Sequence, residues 1–190
     1  MIFFGLGNPG NRFLLTRHNF GFIFLDLFAL NHHFNFKKTP DCSIAEGTVW
    51  NKKIMLCKPL RFMNNSGMIV KKIIEETFPK GSREDSFLVI CDDLNLPLGR
   101  IKLYKRGTDG GHLGLRSIIE TLDTISFLSL RLGTGPPPSS DWSDFVLAAF
   151  NEQELPTVCK MLDRAAEGLH LLLTKGFATS QTFLNTRTPQ

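Results

Sequence analysis

Five consecutive apolar residues, Phe87-Leu88-Val89-Ile90-Cys91, run straight into Asp92-Asp93. A strand without polar alternation must be covered on both faces, so this run predicts a central strand of a sheet sandwiched between helices. The flanking patterns fit that frame. Ile2-Phe3-Phe4-Gly5-Leu6 reads as a second buried strand, stopped by Asn8-Pro9-Gly10. Helical spacing of Phe20, Ile23, Phe24, Leu27 and Phe28 predicts a helix over 19–30, capped by Thr16 or Asn19. Ser43–Trp50 and Lys53–Cys57 form a strand pair turning at Asn51, and Ser66–Phe78 is a helix. A charged loop, Pro79–Asp85, precedes the central run. A more exposed strand at 100–105, a helix at 113–122, a strand at 126–133, a Pro136–Ser140 loop and a long amphipathic helix at 152–176 follow. Strands alternating with helices imply an α/β class chain: a single-domain α/β/α sandwich over residues 1–190, with a twisted mixed β-sheet.

Ligands of such sheets gather at the carboxyl ends of the strands. Three polar segments sit where strands are expected to end. They are Gly5-Leu6-Gly7-Asn8-Pro9-Gly10 running on to Thr16-Arg17-His18-Asn19, then Lys58-Pro59 with Phe62-Met63-Asn64-Asn65-Ser66-Gly67, then Asp92–Gly99 running on to Gly110-Gly111-His112. Together they supply imidazole, carboxylate and carboxamide groups without an obvious serine or cysteine nucleophile. That inventory suits hydrolysis by an activated water. His18 at a helix start is kept neutral by the helix dipole, as a general base must be. A carboxylate partner would restore its basicity, and Asp92 is the natural candidate.

Other chemistries fit less well. Gly5-x-Gly7-x-x-Gly10 matches a dinucleotide fingerprint in letters, but Pro9 and Gly10 prolong the loop where the fingerprint needs a helix. Asp92-Asp93 could hold a divalent cation, yet no third carboxylate accompanies them in the other two segments. Asn64, Asn65 and Ser66 are ordinary N-caps, so one asparagine is expected to cap and the other to face the cleft. His112 reads as structural. Lys102, Lys105, Arg106 and Arg131 are either a solvated strand face or a phosphate clamp for nucleic acid.

Net charge is +4, compatible with a polyanionic partner without demanding one. The cysteines Cys42, Cys57, Cys91 and Cys159 form no C-x-x-C pair or metal-ligand spacing with histidine, which suits reduced, mostly buried thiols. The apolar start lacks a charged n-region, and no stretch approaches the ~20 apolar residues of a membrane span. A soluble cytoplasmic protein is the expectation. The abundant phenylalanine, 17 residues, reads as core filling.

From Phe3 to about Pro137 the three segments resemble the bacterial-type peptidyl-tRNA hydrolase family, which cleaves the ester joining peptide to tRNA. The first motif matches through Asn8, Arg17, His18 and Asn19. The second matches through Lys58-Pro59, Phe62-Met63-Asn64 and Ser66-Gly67, and the third through Asp92-Asp93-Leu94, Leu96-Pro97 and Gly99. The resemblance implies a catalytic His18 supported by Asp92, and substrate contacts at Asn8, Phe13, Phe62, Asn64 and Leu113. With this substrate the basic residues Lys102, Lys105 and Arg131 are the expected tRNA phosphate contacts, and the expectation is no metal or other cofactor, and a monomer acting on peptidyl-tRNA without a stable protein partner or membrane. Two positions depart from the family pattern. Leu113 stands where Gly-Gly-His-Asn-Gly-Leu would place asparagine, and Phe13 where tyrosine is preferred. A noncatalytic RNA-binding relative of the same fold is the alternative.

Overall fold

The computed structural model describes residues 1–79, 81, 84–137 and 141–186. Its strands are β1 (Ile2–Gly5), β2 (Lys37–Lys38), β3 (Cys42–Val49), β4 (Lys52–Pro59), β5 (Phe87–Pro97), β6 (Ile101–Tyr104) and β7 (Leu128–Gly135). They form one seven-stranded sheet in the order β2-β3-β4-β1-β5-β7-β6. The middle pairings β4–β1, β1–β5 and β5–β7 are parallel, whereas β2–β3, β3–β4 and β6–β7 are antiparallel. The helices are α1 (Phe20–Asn31), α2 (Ser66–Thr77), α3 (Leu113–Leu122), α4 (Trp142–Leu147), α5 (Leu155–Lys175) and α6 (Phe177–Asn185). Among the described residues no helix is long and apolar enough to cross a membrane.

Period-two alternation splits the buried strands between two cores. Phe3, Leu88, Ile90 and Leu130 join one cluster with Phe24 and Phe28 of α1 and Met161, Ala165 and Leu169 of α5. Ile2, Phe4, Val89 and Cys91 join the other with Ile69, Val70 and Ile73 of α2 and Ile118 of α3. That is the expected α/β/α sandwich with a mixed sheet. Phe3, Phe4, Phe20, Phe24 and Phe28 are fully buried, in keeping with core filling.

Gly21 brings α1 hard onto the sheet. A methyl there would lie 2.2 Å from the Ile90 carbonyl oxygen and 2.4 Å from the Leu6 nitrogen, so only glycine permits this approach. The residues just before α1 thereby reach the carboxyl end of β1 and the stretch of β5 that follows Ile90. The hairpin between β3 and β4 turns on Trp50 and Asn51, both at positive φ, the two-residue geometry that matches strand twist. Trp50 stacks on His170 of α5, with ring centroids 4.5 Å apart.

Several local expectations are corrected. The central strand does not stop at Cys91; β5 continues to Pro97, with a register shift between Asp93 and Pro97. Neither Thr16 nor Asn19 caps α1: the Thr16 hydroxyl donates to the Phe13 carbonyl, and Asn19 is used elsewhere. Neither Asn64 nor Asn65 caps α2; the Gly67 N–H instead donates to Ser117 Oγ at 3.0 Å. The 152–176 helix begins later. Asn151 and Glu154 exchange backbone-to-side-chain hydrogen bonds of 2.7 and 3.0 Å that close the turn ahead of α5, which starts at Leu155. Helices α4 and α6 have no counterpart in the sequence reading. Lys80, Ser82 and Arg83 of the expected charged loop, and Pro138–Ser140 of the proline loop, lie outside the described residues.

Helix α6 packs along edge strand β6. Leu103 N–H donates to Asn185 Oδ1 at 2.8 Å, and the Leu103 carbonyl accepts from Gln181 Nε2 at 3.0 Å and Asn185 Nδ2 at 3.4 Å.

Candidate active site

Gly5, at the carboxyl end of β1, pairs with Ile90 of β5, and just beyond that pairing the three polar segments converge on a cavity of about 450 Å³. At its base Asp92 is 2 % exposed. Its Oδ1 lies 3.0 Å from His18 Nδ1 and 3.0 Å from His112 Nε2, and its Oδ2 lies 3.2 Å from His18 Nδ1. The His18 and His112 ring centroids are 4.8 Å apart.

The hydrogen bonds fix the tautomers. His112 is the N-cap of α3, and its Nδ1 accepts from the N–H groups of Gly114 and Leu115 at 3.1 and 3.2 Å. That nitrogen carries no proton, so Nε2–H donates to Asp92. His18 donates Nδ1–H to the same carboxylate. Its Nε2 is then the ring nitrogen with a free lone pair, in a side chain that lines the cavity. Burial pulls the His18 pKa down, but the charge and hydrogen bond of Asp92 outweigh it and leave the pKa raised. Burial alone would lift the Asp92 carboxyl; the two imidazoles hold it well below the usual carboxylate range. The structural role expected of His112 is met, since it caps a helix. Its second role, as a fixed donor to Asp92, has no local sequence signal.

His18, Asp92 and His112 are also the one group among the described residues whose ligand atoms, within 4.8 Å of one another, could surround a metal ion. The atoms that face each other are N–H donors and their carboxylate acceptor, already mutually bonded, and His112 Nδ1 is committed to α3. The Asp92-Asp93 pair is not a joint cation site, because the two side chains part company. Asp93 Oδ1 accepts from Asn95 N and Nδ2, and Oδ2 accepts from Arg131 Nη1.

Asn8 and Asn19 form a second buried array. Asn19 Oδ1 accepts from Asn8 N–H at 2.7 Å while Asn19 Nδ2 donates to the Asn8 carbonyl at 3.0 Å. Asn8 Oδ1 accepts from Met63 N–H at 2.9 Å. This orients the amide, leaving Asn8 Nδ2 as the donor it offers to the cavity it lines. Asn64, Phe62 and Leu113 line the same cavity. Phe13 does not. It lies in a 3-10 turn, Asn11–Phe13, under the Arg12 guanidinium 4.5 Å from its ring centroid.

Arg131 also departs from expectation. It is 7 % exposed, with Nη1 on Asp93 and Nη2 on the Thr108 carbonyl, over the Tyr104 ring. As placed, its guanidinium supports the loop that leads through Gly110 and Gly111, both at positive φ, to His112. Lys102 and Lys105 remain outward. Lys105 Nζ and Arg106 Nη2 share the exposed carboxylate of Glu84 at 3.5 and 3.0 Å.

Arg17 closes the far side. Its backbone N–H donates to the Ala148 carbonyl at 3.1 Å. Its guanidinium donates to the carbonyls of Ala148 and Ala149 and to both carboxylate oxygens of Glu154, the latter at 2.8 and 2.7 Å. These bonds pin the end of α4 beside His18 and make Trp142, Ser143, Val146 and Leu147 part of the cavity wall. Arg17 is 5 % exposed. Removing its counter-charge while breaking the turn ahead of α5 should therefore be costly: Glu154→Ala is expected to lower unfolding free energy by about 3 kcal/mol, checked by urea titration.

A family model described as peptidyl-tRNA hydrolase matches residues 2–190. The chain belongs to the peptidyl-tRNA hydrolase family. Among family members, a peptidyl-tRNA hydrolase of Thermodesulfovibrio yellowstonii is 37% identical over 185 residues, covering 97% of this chain and 98% of the relative. One of Herpetosiphon aurantiacus is 41% identical over 189 residues, covering 98% and 90%. The crystal structure of peptidyl-tRNA hydrolase from Acinetobacter baumannii superposes with a TM-score of 0.91 at 29% identity, covering 100% of this chain and 96% of that one. The peptidyl-tRNA hydrolase fold thus spans the whole sandwich, including α4 and α6.

Proposed function

We propose that this chain cleaves the ester between peptide and tRNA at the cavity, with His18 as general base. His18 Nε2 takes a proton from a water that attacks the ester carbonyl. Asp92 holds the ring through Nδ1 and stabilises the imidazolium as it forms, and His112 in turn steadies Asp92. Asn8 Nδ2 and Asn64 offer amide hydrogen bonds to the peptide or to the developing oxyanion. The proton then passes from His18 to the departing ribose oxygen. An ester is already activated, so a positioned base, worth ~10²–10⁴-fold, together with donors is sufficient chemistry. The observation that carries this reading is the contact of His18 Nδ1 with the buried Asp92 carboxylate, which leaves Nε2 of the neutral ring to accept a proton. Family membership independently supports the substrate. The same reading has residues 1–190 acting as one domain, a cytoplasmic monomer that needs no cofactor. The test is single-turnover hydrolysis of an N-acetylated aminoacyl-tRNA. Tight tRNA binding without hydrolysis would instead identify a noncatalytic RNA-binding relative.

In this reading Lys102 and Lys105 bind tRNA phosphates. The Glu84 pairs are exposed and contribute little, so a phosphate can replace them. Lys102→Gln or Lys105→Gln is expected to raise KM for tRNA substrates. Removing one lysine–phosphate pair should flatten the log–log salt dependence by about one unit, because one fewer counterion is released on binding. A small ester lacking tRNA should be cleaved at an unchanged rate. Arg131→Gln, by contrast, should slow both substrates alike, because it loosens the loop that carries His112.

A further inference from the structure

The mouth of the cavity is built from large apolar side chains left open to solvent. Phe62 is 55 % exposed, Leu113 49 %, Trp142 56 % and Leu147 38 %, and all four line the one cavity. They come from three separate places: the turn before Met63, the first residue of α3, and both ends of α4. Exposed apolar patches that converge on a cleft mark surfaces completed by a ligand.

We infer that this mouth selects the acyl group, so that the enzyme favours peptidyl-tRNAs whose ester-linked residue is large and apolar. The inference rests on the hydrolase reading above. No lysine or arginine is among the described residues lining the cavity, whereas Asp92 and Asp93 are. A polyanion therefore finds no counter-charge inside it, and the nearby cations Lys102, Lys105 and Arg106 lie on β6 and just after it. The neutral peptide suits the cavity, with Asn8 and Asn64 for its amides. The residue under attack carries its side chain on the atom next to the carbonyl carbon. With that carbonyl at His18, we place the side chain against the same cavity wall. Leu113 matters most here, because it removes a carboxamide from the rim and adds apolar surface to the wall it shares with Trp142. Beyond Leu147 lies a second groove of mixed character, with Leu14, Leu15 and Ala149 beside Asn11, Arg12 and Thr16.

The experiment charges one tRNA body with glycine, alanine, leucine or phenylalanine, acetylates each, and compares kcat/KM. Partial burial of a leucyl or phenylalanyl side chain predicts an advantage over glycyl of roughly tenfold to a hundredfold. Leu113→Asn and Trp142→Ala should each shrink the leucyl-to-glycyl ratio by about threefold or more on the same area argument. Equal turnover of all four esters removes this inference and leaves the hydrolase reading standing. A ratio unchanged in both variants also overturns it. If Trp142→Ala instead weakens inhibition by uncharged tRNA at constant ratio, the terminal base of tRNA occupies the mouth and the inference fails. Absence of turnover with every ester removes both readings together.

Discussion

Asp92→Asn should cost ~10²–10⁴-fold in kcat, the contribution of a positioned base, and His112 is the reason the loss should be so large. In the native site one carboxylate receives two N–H groups, from His18 Nδ1 and His112 Nε2. His112 cannot change tautomer without abandoning the two backbone N–H groups at the start of α3. The amide oxygen introduced by the substitution is therefore held on His112. The new amide N–H then falls at the Oδ2 position, 3.2 Å from His18 Nδ1. His18 Nδ1 then faces the amide oxygen at 3.0 Å and the amide N–H at 3.2 Å, so the side chain no longer selects the tautomer whose Nε2 takes a proton from water, and the negative charge that stabilises the imidazolium is lost. The same tautomer logic operates in the Ser-His-Asp triad, where the equivalent change costs ~10⁴-fold. Pre-steady-state hydrolysis of N-acetylated aminoacyl-tRNA measures the loss. Retention of more than a tenth of the native rate would sink the tautomer account.

The pH profile supplies the sign. In the native protein Asp92 raises the His18 pKa despite burial. A base must be deprotonated, so the acid limb of kcat/KM should rise through a midpoint above the ordinary histidine value of ~6.5. With Asp92→Asn the charge that raised it is gone, while the desolvation that lowers it remains. Residual activity should therefore show its acid limb at lower pH than the native enzyme, at a much reduced plateau.

His18→Ala should lower turnover by ~10²–10⁴-fold, the full contribution of the base itself, while tRNA binding persists. Lys102 and Lys105 stand apart from His18 on β6 and just after it, and the Arg17 clamp that holds α4 does not depend on the imidazole. Binding is read from competition by uncharged tRNA. If turnover survives within about tenfold, well short of what a general base supplies, the base lies elsewhere. If tRNA affinity collapses with turnover, His18 is structural.

The sheet and its site are unequally legible in the sequence. Buried strands announce themselves because a strand covered on both faces has no polar residue to confuse its pattern, as Phe87–Cys91 shows. Helices α2 and α3 are marked by amphipathic periodicity. His18 and Asp92 can be paired in advance because the first polar segment follows β1 and Asp92 lies just past the point where β1 ends beside β5. What stays hidden depends on contacts between distant segments. Asn19 looks like a helix cap and instead grips the Asn8 backbone. Arg131 looks like a phosphate ligand on an edge-side strand, yet its partners, Asp93 and the Thr108 carbonyl, lie in other segments. Helix α4, six residues long, is too short to show a period of its own, and the backbone pairing of Arg17 with Ala148 that fixes it spans most of the chain.

Helix α6 has a consequence for how the molecule is made. Leu103, on the edge strand, has its N–H and carbonyl satisfied by the side chains of Gln181 and Asn185. A ribosome synthesises β6 long before it reaches those two residues. During that interval the strand's outer edge is open to pairing with any other extended chain, the usual route to aggregation. The last helix therefore acts as a late seal on the sheet, and a nascent chain stalled before Gln181 emerges would present a sticky edge however well its catalytic rim had already assembled.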